Sequence, residues 1–553
     1  MRELALLDTE TVARMENLRD TARPIILIGF QEQENLGLGY LAATLRSHGY
    51  RVTILDFATP AEKILDFTTS LRPLLVGFSL IFQFYLPQFA NLIRYLRENG
   101  ITCHFTMGGH FPSLSHSKTL ELIPELDSVV RFEGEDTLLE LVDHLGTEKP
   151  WQEIKGLAYR QNGIVMSNQL RPLVDDLDRL SYPVREVEPR WVLGRKVMPI
   201  LASRGCSRTC SFCSIHTFYR GAPGKIVRLR KPSHVVAEMK HLQDERGASI
   251  FLFQDDDFPL FGPSWRRWVM TFVDELYRQG VADKAIWKIS CRADTVEPEL
   301  FTTLRNAGLY LVYMGLESGS DEGLDTLNKE ITVEQNLHAV HVLKSIGLNF
   351  QYGFMLFDPS SSFDSVRENV KFLRQVLKDG SAPATFCRMV PYDGTPIKDE
   401  LAAAGRLRGD VCNPDYDFLD PRLEDFFQAL HNIVHVAGWI HGCGALSPQL
   451  TTAWNEIAVL DRLFPTIPTL ERYRSKLRTM TQTSNDLLFS LVENMADGFQ
   501  GGDLREWSGE ELESRCNAFR EELLAERDAF VYENQNRLLE ALEQPLHLAP
   551  TVA

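Results

Sequence analysis

From Pro24 onward, short apolar runs alternate with amphipathic segments. The runs are IILIGF at 25–30, VTIL at 52–55, LLVGFSL at 74–80, ITCHFTM at 101–107 and SVVRF at 128–132. Between the first two, LGLGYLAATLRSHG has helical spacing and ends in a glycine suited to a helix C-cap. The alternation predicts a parallel, doubly wound α/β domain over residues 1–149, with any ligand bound beyond the carboxyl ends of its strands. Residues 150–195 carry scattered Pro and Asp and little periodicity, and read as a linker with one small hairpin. A second alternating series follows over 196–400, with apolar strands near 197–202, 249–254, 285–291, 309–316, 348–355 and 385–391. Six βα units predict an incomplete (β/α)6 barrel of the TIM type, with its chemistry at the C-terminal ends of the strands. Beyond Pro421 the strand signals give way to long helical patterns, which predict a helical C-terminal domain over 401–553.

Composition narrows the classes. The chain has 553 residues, 44% hydrophobic and 24% charged, as in ordinary globular proteins. No run of eighteen uncharged apolar residues occurs, so no membrane span is expected and the cytoplasm is the expected compartment. Thiols stay reduced there, and an odd count of nine cysteines argues further against a disulfide framework. The net charge of -17 disfavours broad contact with nucleic acid.

Three of the nine cysteines stand at 206, 210 and 213, in SRGCSRTCSFCSIHTFYRG directly after the first barrel strand. Three thiolates at this spacing can turn back on one centre, and sulfur ligation suits zinc or an iron-sulfur cluster. A structural zinc site wants four ligands, usually as two short clips. No second clip follows, and His216 stands only three residues beyond Cys213. Three ligands on a cubane would leave one iron open for a substrate.

The pattern CxxxCxxC with Phe212 before the last cysteine resembles the signature of the radical S-adenosylmethionine superfamily, and the resemblance runs through most of residues 196–400. It implies a [4Fe-4S] cluster on Cys206, Cys210 and Cys213, whose open iron binds S-adenosylmethionine and reduces it to a 5'-deoxyadenosyl radical. It further implies that Asp255 and Asp256 in FLFQDDDF receive the methionine amine, that Arg292 in KISCRAD lies near the methionine carboxylate or ribose, and that Glu317 and Ser318 in YMGLESGS face the ribose. The physical reasons are those of ammonium and carboxylate recognition. The other readings of these residues are a helix N-cap for the aspartates and an ordinary ion pair for Arg292.

Residues 1–149 resemble the flavodoxin- or Rossmann-like cobalamin-binding domain that precedes this barrel in one branch of the superfamily. Ser79 in VGFSLIF and Gly108-Gly109 in TMGGHFPSL match loops that would seat the nucleotide tail. The cobalt-ligating His of many such domains is absent from GFQEQENLGLGYLAATL, which leaves cobalamin without a His lower ligand and water, Gln31, Gln33 or Asn35 as alternatives. His110 is a further candidate contact. The combined resemblance implies a methyltransferase acting on an unactivated carbon of a small molecule or natural product, fed electrons by a flavodoxin or ferredoxin. The alternatives are a non-methylating cyclisation, rearrangement or oxidation, a methylthiotransferase, and a non-catalytic cobalamin sensor. Arg220, Lys225, Arg228, Arg230 and Lys231 are candidates for a substrate anion or a solvated face. Cys291, Cys387, Cys412, Cys443 and Cys516 lack ligand spacing and read as structural thiols.

Overall fold

The computed structural model describes residues 23–543 apart from 261, 441, 443, 465 and 503–508; Cys443 therefore lies outside the described residues. Strands β1 (Ile25–Gly29), β2 (Val52–Asp56), β3 (Leu75–Ser79), β4 (His104–Gly108) and β5 (Ser128–Val130) run parallel in the order β2-β1-β3-β4-β5. The central ones are buried on both faces, as parallel strands sandwiched between helices must be, so they read as unbroken apolar runs rather than alternating ones. The strand order reverses between β1 and β3. That switch point opens a crevice at their carboxyl ends.

The segment expected as a linker does more than connect. Its hairpin, β6 (Leu157–Gln161) and β7 (Ile164–Ser167), extends the first sheet beyond β5 in antiparallel fashion. Its end, β8 (Arg190–Val192), pairs antiparallel with the first strand of the second sheet. Residues 150–195 thus tie both sheets together by backbone hydrogen bonds.

The second sheet holds β9 (Arg195–Ile200), β10 (Ala248–Phe253), β11 (Ile286–Cys291), β12 (Leu309–Glu317), β13 (Asn349–Phe357) and β14 (Cys387–Arg388), all parallel and in sequence order. This is the predicted six-stranded open barrel. The helices Pro421–Val436, Leu446–Leu463, Leu470–Gly501 and Glu510–Glu543 follow. They have no separate core: Phe426, Trp439, Phe489 and Phe530 belong to one apolar cluster with Met198, Ile250 and Phe357 of the barrel. The C-terminal region is helical as expected, shares the barrel's core, and also holds a short hairpin, Leu407–Gly409 with Pro414–Tyr416. A sheet closed on one side only leaves its inner face open, and the C-terminal helices supply the missing cover. Among the described residues no helix is long and apolar enough to cross a membrane.

Buried ion pairs join the two sheets. Arg204, just after β9, reaches Glu133 at 3.2 Å and Glu135 at 2.7 Å, and Arg228 meets Glu133 at 2.8 Å. Arg185, from the connecting segment, bonds Glu34 at 2.7 Å and Glu238 at 3.0 Å, and Arg230 meets Glu238 at 2.6 Å. Burial pushes the Glu133 carboxyl up, yet Arg204 and Arg228 outweigh it and hold the group below the usual carboxylate range. A third tie runs from Ser115 and Lys118 to Asp393, at 2.8 and 2.7 Å, with Lys398 on the same carboxylate. Glu238 is 1% exposed and serves two guanidinium groups, so Glu238→Gln leaves Arg230 without a carboxylate and Arg185 with Glu34 alone. We expect a loss of about 3–5 kcal/mol, read as a lower denaturation midpoint in urea.

Candidate cofactor site

The cysteine loop is held by backbone bonds and by the Ser211 hydroxyl. Gly205 adopts φ +92°, and a Cβ there would meet Ile226 O at 2.0 Å, so only glycine admits the turn that starts the loop. Its N–H donates to Asp256 at 2.9 Å. Ser211 donates through its N–H to Leu327 O and through its hydroxyl to Thr326 O, both at 2.9 Å, and its carbonyl accepts from Ile397 N–H at 3.1 Å. Asn328 bonds Thr209 O at 2.7 Å. The three thiols are free and partly or fully buried. Burial, with Asp257 adding to it, pushes the Cys206 thiol up to about 12, and burial pushes Cys213 up to about 11. Bound cations reverse that preference, because they replace the protons directly. Among the described residues no three side chains of metal-ligating type converge on a single ion. One tetrahedral ion requires such convergence, whereas a cluster takes each thiolate on a different iron. His216 is buried with neither ring nitrogen bonded among the described residues.

Around Cys210 the charges are positive. Arg292 Nη1 lies 3.6 Å from its sulfur, Nε bonds Asp294 at 3.0 Å, and Nη2 donates to Lys329 O. Lys329 bonds Glu317 at 2.9 Å, and this carboxylate outweighs burial to raise the ammonium above its ordinary value. Glu317 itself stands at φ +63°, a left-handed conformation that costs a non-glycine residue about 1 kcal/mol. The strand pairing shifts register there. A Cβ on Gly315 would lie 2.1 Å from Glu317 Oε1 and 2.8 Å from Lys329 Nζ, so that glycine makes room for the pair. Lys329 was not foreseen from the sequence, since no motif marks it.

The two aspartates separate. Asp256 opens into a cleft, accepting from Gly205 N–H and from the Tyr219 hydroxyl. Asp255 faces inward, its oxygens taken by Ala202 N–H at 3.1 Å and by the Ser203 hydroxyl. It anchors the end of β9 and does not face a ligand. Asp257, missed in the sequence, is buried toward Arg292 and Arg208, with burial pushing it up to about 6. Ser318 is also corrected: it is fully buried with its hydroxyl 3.1 Å from Asn369 Oδ1, and does not face the site. Phe212 is partly buried against the barrel core. Arg228 and Arg230 are spent in the ion pairs described above, not free for a substrate anion.

The cleft has a volume of about 790 Å³ and lies between the carboxyl ends of β1, β3 and β4 and the end of β9. Phe82, Phe84, Ser79, Gly109 and His110 line it from one side, and Leu201, Arg204, Phe218, Tyr219 and Asp256 from the other. Gly109 has φ +111°, and a Cβ would sit 2.2 Å from Leu80 O. Gly108 packs beside Val130. The His110 ring lies 4.5 Å from that of Phe218, and its Nε2 is buried without a partner, while burial lowers its pKa to about 4. An orphaned buried nitrogen and a backbone cradle beside an aromatic wall fit a large cofactor with polar edges. Of the three residues considered for the lower face of cobalt, Asn35 caps the helix Leu36–Ser47 through Leu38 N–H and Gln31 is buried outside the cleft lining; Gln33 faces the cleft.

Residues 26–142 match the B12 binding domain family and residues 200–373 the radical SAM superfamily. The chain belongs to the cobalamin-binding branch of the radical SAM superfamily. Its cofactors are a [4Fe-4S] cluster, S-adenosylmethionine and cobalamin. It is 28% identical to the Uncharacterized methyltransferase PH0819 of Pyrococcus horikoshii over 70% of this chain and 82% of that one. It is 26% identical to the anaerobic magnesium-protoporphyrin IX monomethyl ester cyclase of Cereibacter sphaeroides, over 66% of this chain and 60% of that one. In fold it is similar to the cobalamin-dependent S-adenosylmethionine radical enzyme OxsB, with a TM-score of 0.66 at 18% identity, covering 94% of this chain and 83% of that one.

Burial pushes Asp255 up to about 7, against the hydrogen bonds from Ser203 and Ala202 that lower it. Its native value lies above the unfolded one near 4, so the stability it contributes is full below that value and is lost as pH rises to about 7. Asp255→Asn keeps an oxygen to accept from Ala202 N–H and turns an amide N–H toward the Ser203 hydroxyl oxygen, which reverses that bond. Relative to the parent it should gain stability between pH 5 and pH 8, measured by denaturant unfolding at both.

Proposed function

We propose that the protein is a radical S-adenosylmethionine methyltransferase that alkylates an unactivated carbon of a small molecule. The observation that supports this reading most is a shared wall: Ser203 and Arg204, three and two residues before Cys206, line the cleft in the B12 binding domain. A methyl donor in the cleft and a radical generated at the cysteine loop would therefore meet over one substrate. The similarity to a protein named as a methyltransferase points the same way.

When bound, the cluster and S-adenosylmethionine supply a hydrogen-abstracting carbon radical, and cobalamin supplies a transferable methyl group. The chain's own residues would do the following. Cys206, Cys210 and Cys213 hold three irons, with Arg292 Nη1 beside the sulfur of Cys210. Asp256, open to the cleft, accepts from the methionine ammonium, and Glu317 accepts from the ribose while Lys329 holds its carboxylate in place. Ser79, Gly109 and His110 seat the cobalamin tail, and Phe82 and Phe84 exclude water from the reacting face. The cobalamin unit falls within residues 1–149 and the barrel within 196–400. The electron comes from a flavodoxin- or ferredoxin-type donor in the cytoplasm.

A second reading, radical chemistry without methyl transfer, is favoured by the similarity to the cyclase. Methyl-labelled S-adenosylmethionine separates the two. The methyltransferase reading expects label in the product and one 5'-deoxyadenosine per methyl transferred; label absent while 5'-deoxyadenosine forms would overturn it. Replacing Cys206, Cys210 or Cys213 by Ala should bring 5'-deoxyadenosine to background and abolish the visible absorption of the cluster. Retention of either in all three variants removes the cluster assignment.

A further inference from the structure

We propose that the floor of the barrel is an oxyanion subsite in which Lys288 receives the carboxylate or phosphate end of the substrate. This rests on the enzymatic reading above and names its substrate class: an elongated small molecule with its charge remote from the reacting carbon.

Along β11, β12 and β13 alternate residues face the barrel interior, and Lys288, Tyr313 and Gln351 stand on that face in neighbouring strands. Lys288 Nζ donates to Gln351 Oε1 at 2.7 Å, and Gln351 Nε2 donates to Asn455 Oδ1 at 2.7 Å. Asn455 belongs to the helix Leu446–Leu463, which plugs the barrel from below. An ammonium has three donors, and Gln351 takes one. Lys329, Lys398 and Arg292, buried in the same barrel, are each matched by a carboxylate. Lys288 has none among the described residues, and burial alone lowers its pKa to about 8. Beside it, Tyr313, Gln351, Trp454 and Asn455 line a cavity of about 160 Å³.

The lumen above is open. Tyr313 is 38% exposed and Cys387 is exposed although both lie on the inner face, and Ser290 and Met355 are partly exposed. The structural assignment of Cys387 is thereby corrected; it lies in the reaction chamber. Gly353 clears the Tyr313 phenol, whose oxygen would be 2.6 Å from a Cβ there. Lys288 and Arg292 are four residues apart on one strand, a rise of about 13 Å. An anion on Lys288 therefore leaves several bond lengths before the level of Cys210.

The charge of Lys288 sets the pH dependence. Facing it from β12 are Tyr313, pushed up to about 12 by burial, and Glu317, which is paired with Lys329. From β14 comes Cys387, also pushed up to about 12. On the plugging helix Glu456 is paired with Arg527, Asp461 with Arg474, and Arg462 donates to Arg305 O. Tyr313 and Cys387 hold their protons well above the value at which Lys288 loses its own. Binding should weaken toward about tenfold per pH unit above the lysine's value.

The test is calorimetric titration of the full chain with glutarate and, separately, sulfate, both fully ionised from pH 6.5 to 9.5. Glutarate reports a carboxylate end and sulfate a phosphate-like one. We expect one of them to bind at pH 7 and to lose affinity above pH 8, Lys288→Met to abolish binding, and Lys288→Arg to retain it without the pH dependence. No binding of either anion to the parent chain, equal binding by Lys288→Met, or affinity independent of pH in the parent overturns the proposal. Lys288→Arg keeps the test decisive if the Met variant unfolds. The titration involves no radical chemistry, so its failure and the failure of the 5'-deoxyadenosine assay are separate results.

Discussion

Charges buried at the joint between the two sheets must be paired, and each pair draws its partners from different parts of the chain. Glu133 and Glu135 follow β5; Arg204 follows β9, and Arg228 stands some twenty residues further on. Arg185 comes from the connecting segment and reaches both Glu34, beside β1, and Glu238 on the barrel's first helix. An unpaired charge at such a site costs several kcal/mol, so the two sheets can meet in few orientations. The observed one sets the carboxyl ends of β1, β3 and β4 opposite the end of β9. The cleft and the cysteine loop acquire a common wall as a result, and every property of the site follows from that placement.

Inside the barrel the same rule shapes the cysteine loop. Lys329 is fully enclosed and tolerable only beside Glu317, and Glu317 reaches it only from a left-handed backbone next to two positions without side chains, Gly315 and Gly353. Lys329 in turn gives its carbonyl to Arg292, whose guanidinium touches Cys210. The three thiols thus stand in unequal fields. Cations surround Cys210, whereas Asp257 and Asp256 lie nearest to Cys206 and Asp256 also acts on Cys213. The acidic side is the side that opens on the cleft, where a cationic ligand can balance it.

Periodicity made the strands legible, because β1, β3 and β10 bury nearly whole runs of side chains. The cysteine triplet and Gly108-Gly109 were legible for a different reason: their function is local, a turn or a close approach within a few residues. Long-range pairing was not. Nothing in FLFQDDDF shows that Asp255 turns inward under Ala202 while Asp256 faces the cleft, since the outcome depends on where β9 ends. Arg228 looked like part of a free basic patch because its partner, Glu133, is 95 residues away by numbering and meets it only after the sheets dock; Arg230 is taken by Glu238, eight residues on. Ser318 resembled a site residue, but Asn369 from the following helix claims its hydroxyl.

The C-terminal helices were the least legible part, and their position explains why. They carry no motif because their task is packing: the helix Leu446–Leu463 buries Leu450, Ile457 and Leu460 in the barrel's own core. A six-stranded sheet has two free edges and an inner face that water would otherwise reach. Covering it from below converts an open trough into a chamber with one mouth, beside the cleft. Polar side chains left on that covered face must then bond one another or a ligand, which is how Gln351 and Asn455 come to be joined and how Lys288 comes to hold donors in reserve. The radical SAM family match ends at residue 373, before the plug begins. The strands and loops shared across the superfamily therefore set the type of reaction, and a segment outside that match sets what fits beneath it.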